Sequence, residues 1–199
     1  MSTRLAYLMC LTLLSATISA QELVINGDFD TDLTPGWQTL WFDTSWSLLD
    51  AANAPVSGSA YGHVGTGIAP VTVYLFSQCI PITQSGLYIF RASGFVPSGE
   101  QFGAGLISIG GNYQADLNHA DCAGPFSVDG FIPLGNSFVL DQWMSANSGS
   151  LLKIPALPNP AMSIKISLAI NLADASNAGS GNFDAVSLMR DTMFIDGFE

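Results

Sequence analysis

The chain has 199 residues, of which 48% are hydrophobic and 11% charged, and its formal charge at neutral pH is −11. This length allows one well-buried domain and is short for two. Nucleic acids and anionic membrane surfaces are bound by clustered lysine and arginine, and five basic residues do not provide such a cluster. The composition therefore predicts an acidic single-domain protein that binds no nucleic acid.

Residues 1–20 have the pattern of a secretory signal peptide. Arg4 precedes an apolar run over residues 5–14, and Ser19-Ala20 provides the small residues of a cleavage site. Cys10 lies inside the apolar run, so we expect it to be removed with the signal. No later apolar run reaches the roughly 18 residues that a membrane-spanning helix needs. The sequence thus predicts export to the medium or the cell surface without membrane insertion.

After residue 20, runs rich in Val, Ile, Tyr, Phe and Thr alternate with clusters of Gly, Pro, Asn and Ser, which is typical of an all-β sandwich. We expect about ten strands, drawn from the runs 23–25, 37–42, 46–49, 60–64, 71–80, 87–92, 102–109, 113–117, 137–144, 151–154, 162–172 and 183–189. Gly110-Gly111-Asn112 is expected to form a turn, and residues 118–135 are expected to be irregular. The short connections favour antiparallel sheets.

Two cysteines remain after the signal, Cys79 and Cys122. An even number in an oxidising compartment predicts a disulfide. The bridge would close a loop of 43 residues, for which the chain-entropy model gives a stabilisation of roughly 4 kcal/mol as an upper value. A metal site is the weaker alternative, because neither cysteine has a second cysteine at ligand spacing.

Three blocks of sequence, at the start, middle and end of residues 21–190, carry a family resemblance. They are Asn26-Gly27-Asp28-Phe29-Asp30 with Trp37, Ser77-Gln78-Cys79-Ile80-Pro81-Ile82 with Gly86-Leu87-Tyr88, and Phe183-Asp184-Ala185-Val186-Ser187-Leu188. In order and spacing they resemble the CenC-like carbohydrate-binding modules. That family often has Glu where Asp30 stands, and the cysteine pair is not a general family feature. The resemblance implies a galactose-binding-like jelly roll, an antiparallel two-sheet β-sandwich, over residues 21–190.

The short tail, residues 191–199, ends in Asp-Gly-Phe-Glu. It is similar to short tails at the ends of exported proteins from some Gram-negative bacteria. The resemblance implies recognition by export or sorting machinery, and a frayed terminus is the alternative.

The family resemblance also implies a structural calcium site. Its ligands would be the carboxylates of Asp30 and Asp184 and the backbone carbonyl of Gly27. Calcium takes about six to eight oxygen ligands, and two carboxylates with carbonyls suit it. The alternative is that Asp28 and Asp30 are turn residues whose side chains bond to their own backbone.

Aromatic rings that stack on the apolar face of a pyranose, with polar side chains for its hydroxyls, are the expected sugar contacts. Trp37 matches a family core position and Trp143 lies in an apolar run, so both are expected to be buried. The candidate sugar-binding residues are therefore Trp41, Trp46, Tyr61 and Tyr113, with Asn112, Gln114 and Asp116 for hydroxyl contacts. For each of these aromatic residues a place in the core is the open alternative.

Catalytic motifs are scarce. The two histidines, His63 and His119, belong to no His-Glu-x-x-His pair, and there is no Gly-x-Ser-x-Gly elbow. His119 lies near Cys122, but a bridged cysteine has no free thiolate. The predicted function is non-catalytic binding of a polysaccharide or other glycan outside the cell. The alternatives are a structural or adhesion protein that binds no sugar, and a small polysaccharide-cleaving enzyme with a carboxylate pair.

Overall fold

A computed structural model describes residues 21–41, 43–68, 72–103, 107–148, 152–154 and 162–191. The predicted signal peptide and residues 192–199 of the tail lie outside these ranges. The strands are β1 (Gln38–Thr39), β2 (Thr44–Ser47), β3 (Ser59–Val64), β4 (Thr72–Ile82), β5 (Gly86–Phe95), β6 (Ile107–Asp116), β7 (Val128–Asn136), β8 (Trp143–Asn147), β9 (Leu152–Ile154), β10 (Met162–Leu172) and β11 (Gly179–Asp191). A 3₁₀ turn, Ser98–Glu100, follows β5.

The described strands form two sheets, and neighbouring strands within each sheet are antiparallel. One sheet has the order β1-β4-β10-β6-β7. The other has the order β2-β3-β11-β5-β8, with β9 also paired to β5. This arrangement confirms the predicted all-β, two-sheet jelly roll. No helix in the described ranges is long and apolar enough to span a membrane.

The core lies between the sheets, where alternate residues of each strand point inward. From β10, Ile164, Ile166 and Leu168 are fully buried. Phe183 of β11 meets Phe76 of β4 edge to face, with ring centroids 6.2 Å apart. Because a strand has a side-chain period of two, the residues between these inward positions form the outer faces of the sheets.

Three sequence predictions in the middle of the chain were wrong. The Gly110-Gly111-Asn112 segment is no turn, because β6 runs through it without a break. A Cβ at Gly111 would lie 2.7 Å from the Phe90 ring, so this glycine leaves room for a core aromatic within a strand. Strand β7 occupies most of the second half of the segment expected to be irregular, and the strand expected at 137–144 starts only at Trp143.

The expected first strand, residues 23–25, is also not a regular strand. Instead, the Ile25 amide donates to Gln78 Oε1 at 2.8 Å, and Gln78 Nε2 donates to the Ile25 carbonyl at 2.9 Å. Gln78 is a buried residue of β4, and its side-chain amide satisfies both backbone groups of Ile25, as a neighbouring strand would do in a sheet. This contact fixes where the opening motif lies against the sandwich.

Candidate functional site

Two tryptophans hold the opening motif in place. Trp37 Nε1 donates to the Asn26 carbonyl at 3.0 Å, and Trp46 Nε1 donates to the Phe29 carbonyl at 2.8 Å. Trp37 is buried as expected, and Trp46 is half-buried and packs against the core. Trp46 therefore helps to position the opening motif, and its indole N–H already donates to a backbone carbonyl.

An open cavity of about 460 Å³ lies beside this motif, at the outer face of the six-stranded sheet. Four carboxylates, those of Asp28, Asp30, Asp50 and Asp184, line it together with serines and the alanines of the loop after β2. The sequence motif and the last strand thus meet at one place, which brings the predicted Asp30 and Asp184 to the same cavity.

Asp184 is 3% exposed, and both of its carboxylate oxygens accept hydrogen bonds. Oδ2 accepts from the Ala51 amide at 2.8 Å and Oδ1 from the Ala185 amide at 2.6 Å. Burial raises the pKa of Asp184 to about 6; the two amides oppose this shift, and the nearby Asp50 and Asp28 add to it. The cavity therefore has an excess of negative charge that a proton or a cation would relieve.

The calcium ligands implied by the resemblance fit this cavity only in part. The Gly27 carbonyl already accepts the Val186 amide at 2.9 Å, although a carbonyl oxygen has a second lone pair. Among the described residues, no group of three or more His, Cys, Asp and Glu side chains converges closely enough to hold a metal ion. A calcium ion here would therefore have at most two acidic side chains as ligands and would depend on backbone carbonyls for the rest.

The outer face of the five-stranded sheet carries two exposed aromatic rings. Tyr74 of β4 is 40% exposed and Phe131 of β7 is 46% exposed. Between them, β10 and β6 present small and polar side chains, including Ala169 and Asn112, in the registers Tyr74↔Ala169↔Gly110 and Asn112↔Phe131. We call this surface, defined by Tyr74, Asn112, Gln114, Phe131 and Lys165, the aromatic-amide face.

Contacts within the aromatic-amide face fix its side chains. Asn112 Nδ2 donates to the Tyr74 hydroxyl at 3.1 Å, across β10. The Phe131 ring lies over Gly110, in space that a Cβ there would fill. Asn112 Oδ1 accepts no hydrogen bond from any described residue. The face thus combines two rings with an amide oxygen that lacks a donor.

A loop, residues 117–127, borders the aromatic-amide face at one end. A disulfide joins Cys122 of this loop to Cys79 of β4, the pairing that the cysteine count predicts. Ser163 of β10 also holds the loop, because its hydroxyl donates to the His119 carbonyl at 2.7 Å and accepts the Cys122 amide at 3.1 Å. The disulfide and these two hydrogen bonds hold the loop in a fixed position at the edge of the aromatic-amide face.

Asp116 ends β6 under this loop and is fully buried. It was predicted to contact sugar hydroxyls, but in this position its carboxylate does not reach the surface. Its carboxylate accepts the amides of Asn118, His119 and Gly124 at 2.9, 3.1 and 2.7 Å, and the His119 ring at 3.0 Å. Burial alone would raise the pKa of Asp116, but these bonds together hold it below its usual range. Asp116 is therefore a residue that shapes the loop.

The predicted aromatic platforms do not form one site. Tyr113 is 7% exposed and packs against Phe90 at 6.0 Å between ring centroids, so it is a core residue. Trp41 is half-buried and packs against the core. Trp143, expected to be buried, is half-buried and lies 5.6 Å from the Phe95 ring.

Tyr61 lies on β3, in the sheet opposite the aromatic-amide face. Its hydroxyl donates to Glu100 Oε2 at 2.6 Å. Burial, followed by this bond to Glu100, raises the pKa of Tyr61 to about 12. Of the predicted ligand-binding residues, Asn112 and Gln114 alone belong to the aromatic-amide face.

Sequence reasoning missed Tyr74 and Phe131. A signal for each was present, since Tyr74 lies between the apolar Val73 and Leu75, and Phe131 precedes Ile132. Strict alternation would have placed both rings on the side opposite the core.

No protein-family model matches the chain, and no curated protein matches it by sequence. Solved structures with a similar fold include the CBM22-1 xylan-binding domain of Paenibacillus barcinonensis Xyn10C. It has 10% identity and a TM-score of 0.50, and the match covers 86% of this chain and 96% of that domain.

Two larger proteins contain the same fold as a part. The arabinose-bound MgGH51 α-L-arabinofuranosidase matches at 17% identity and a TM-score of 0.51, over 84% of this chain and 26% of that one. The enzymatically active domain of bacteriophage CBA120 tailspike protein 4 matches at 15% identity and 0.52, over 85% and 21%. The chain thus spans about a quarter of each of these proteins. At such identities the likeness shows the fold alone, a two-sheet β-sandwich.

Proposed function

We propose that this chain is a secreted, non-catalytic glycan-binding protein whose binding surface is the aromatic-amide face. The observation that carries the proposal is the pair of exposed rings, Tyr74 and Phe131, on either side of Asn112. Rings in this position stack on the apolar faces of pyranoses, and amides bond to sugar hydroxyls. An acceptor without a protein donor, Asn112 Oδ1, suits a hydroxyl once the Tyr74 side chain shifts.

The fold supports the proposal because sheet strands are rigid supports for such contacts. A sugar that covers about 80 Å² of one ring would contribute about 2 kcal/mol. Loss of that ring therefore predicts an affinity lower by about thirtyfold.

The test is affinity electrophoresis of the full chain against a panel of soluble polysaccharides. We expect retardation of the wild type by at least one polymer, and loss of that retardation in Tyr74→Ala and Phe131→Ala. Phe102→Ala is the matched control, because Phe102 is 58% exposed and is bridged to Ala178, ahead of β11 in the other sheet. Unchanged mobility with every polymer would contradict glycan binding, and equal effects of all three substitutions would contradict the choice of face.

The same panel tests catalysis. Release of reducing ends from any polymer would favour the polysaccharide-cleaving alternative and contradict the non-catalytic part of the proposal.

A calcium ion at the acidic cavity belongs to the proposal as a structural element. It is supported by the four carboxylates that face one cavity and by the raised pKa of Asp184, a sign of unrelieved negative charge. Asp30, Asp184 and the Gly27 carbonyl would hold it, and the ion would join the opening motif to β11.

A further inference from the structure

Lys165 is the one lysine or arginine in the five strands that form the aromatic-amide face. It lies in the middle strand, β10, between Cys79 of β4 and Gln114 of β6 in the register. Its side chain is half-buried and alternates with the inward Ile164 and Ile166, so the ammonium group belongs to the outer face. The position places a positive charge next to the predicted hydroxyl contacts.

No carboxylate that the structure describes forms an ion pair with Lys165. Among the described residues, His119 and Asp116 are the single basic and acidic side chains within salt-bridge distance of each other, and Lys165 Nζ lies over the Phe126 ring, 6.0 Å from its centroid. Asp129 is the carboxylate that shares its row, and Gln114 lies between them. Two strand spacings amount to about 10 Å, a distance at which salt screens the attraction strongly.

The loop of residues 117–127 limits which other protein groups can approach Lys165. Phe126 lies on that loop, which the disulfide and Ser163 hold against the sheet. Two carboxylates lie at this end. Asp116 is fully buried, and its oxygens accept three loop amides and the His119 ring. Asp121 of the loop is exposed, its Oδ1 accepts the Ala123 amide at 3.2 Å, and it forms no ion pair with Lys165. An anion that rests on the open sheet would therefore meet the ammonium group of Lys165 beside an aromatic ring and an amide.

We propose that the aromatic-amide face selects anionic glycans, with Lys165 binding a carboxylate of a uronic acid or a sulfate ester. This inference rests on the proposed function and names its substrate class. In a chain with a formal charge of −11, general electrostatics would repel such a polymer, so the preference depends on this one side chain. The remaining arginine side chains that the structure describes lie on the other sheet: Arg91 in β5 and Arg190 in β11.

The test compares matched pairs of polymers by affinity electrophoresis and isothermal titration calorimetry. Polygalacturonate is compared with the same polymer after reduction of its carboxyl groups, and dextran sulfate with dextran. We expect the full chain to bind one of the charged polymers about tenfold more tightly than its neutral partner, which corresponds to ~1.4 kcal/mol. The charged pair that shows the preference identifies the group as carboxylate or sulfate.

Three variants assign the preference to Lys165. Lys165→Gln should remove most of the tenfold difference, and Lys165→Arg should retain it. Arg91→Gln is the matched control, since it removes the same charge from the opposite sheet and should leave the preference unchanged. Circular dichroism of each variant verifies that the sandwich is intact.

The outcomes separate this inference from the proposed function. Equal binding of charged and neutral polymers would overturn the role of Lys165 and leave glycan binding in place. Equal losses in Lys165→Gln and Arg91→Gln would attribute the preference to net charge and also overturn it. Absence of binding to every polymer, including the neutral panel above, would remove both.

Discussion

Asp184 predicts an unusual dependence of stability on pH. Its pKa is raised from an ordinary value of 3.8 to about 6, chiefly by burial. Between these two values the folded protein holds a proton on Asp184 that the unfolded chain has lost. The free energy of unfolding must therefore fall as the pH rises through this window, as far as Asp184 is concerned.

The size of the effect follows from the shift. A difference of about two pKa units corresponds to at most ~3 kcal/mol. The carboxylate borders an open cavity, so solvent screens part of the unfavourable charge, and we expect about 1.5 kcal/mol. For a chain of this length that corresponds to a melting temperature lower by about 3 to 6 °C at pH 7 than at pH 4.

The assay is a series of thermal melts from about pH 4 to 7 in EDTA, on the wild type and on Asp184→Asn. The pKa values of Asp50, Asp116 and Asp174 are lowered, so their contributions to the free energy of unfolding are lost as the pH falls. The wild-type curve alone therefore combines opposite trends. The difference between the two proteins isolates Asp184. The amide loses one accepted hydrogen bond, a pH-independent cost of about 1 kcal/mol. Two curves that stay parallel across the window would refute the reasoning.

Three further predictions concern stability and binding. Replacement of Cys79 and Cys122 by serine should lower the free energy of unfolding by up to about 4 kcal/mol with the sheet signal in circular dichroism retained; unchanged urea midpoints would contradict this. Millimolar calcium should raise the melting temperature over that in EDTA, because a hundredfold excess over Kd adds about 2.7 kcal/mol to the free energy of unfolding. Asp184→Ala should abolish the shift, and identical wild-type melts in calcium and EDTA would exclude the site. Gly110→Ala should displace the Phe131 ring and weaken retention by a bound polymer in affinity electrophoresis, since the new Cβ needs the space of that ring; unchanged retention would separate Phe131 from binding.

The class of fold was predictable because its signals are local. Runs of β-branched and aromatic residues between turn residues predict strands wherever they occur. The paired cysteines were predictable for a similar reason, since two candidates allow one pairing. The turn expected at Gly110-Gly111 failed because glycine has two uses, and here the rings of Phe131 and Phe90 require space that no local pattern reports.

The candidate site was much less predictable from sequence. The alternation of a strand separates its residues into two sets, but the register and the facing sheet decide which set is buried. Tyr113 and Asn112 are neighbours in sequence, and the pairing of β6 with β10 places the first in the core and the second on the outer face.

Composition and short-range patterns specify the strand content, the acidic charge and the disulfide of this protein, so these could be predicted without coordinates. Tyr74 and Phe131 flank one surface only after folding, because they are far apart in the chain. Folding also brings Asp30 and Asp184 to one cavity. These placements depend on long-range strand pairing, whose register results from packing of the whole core.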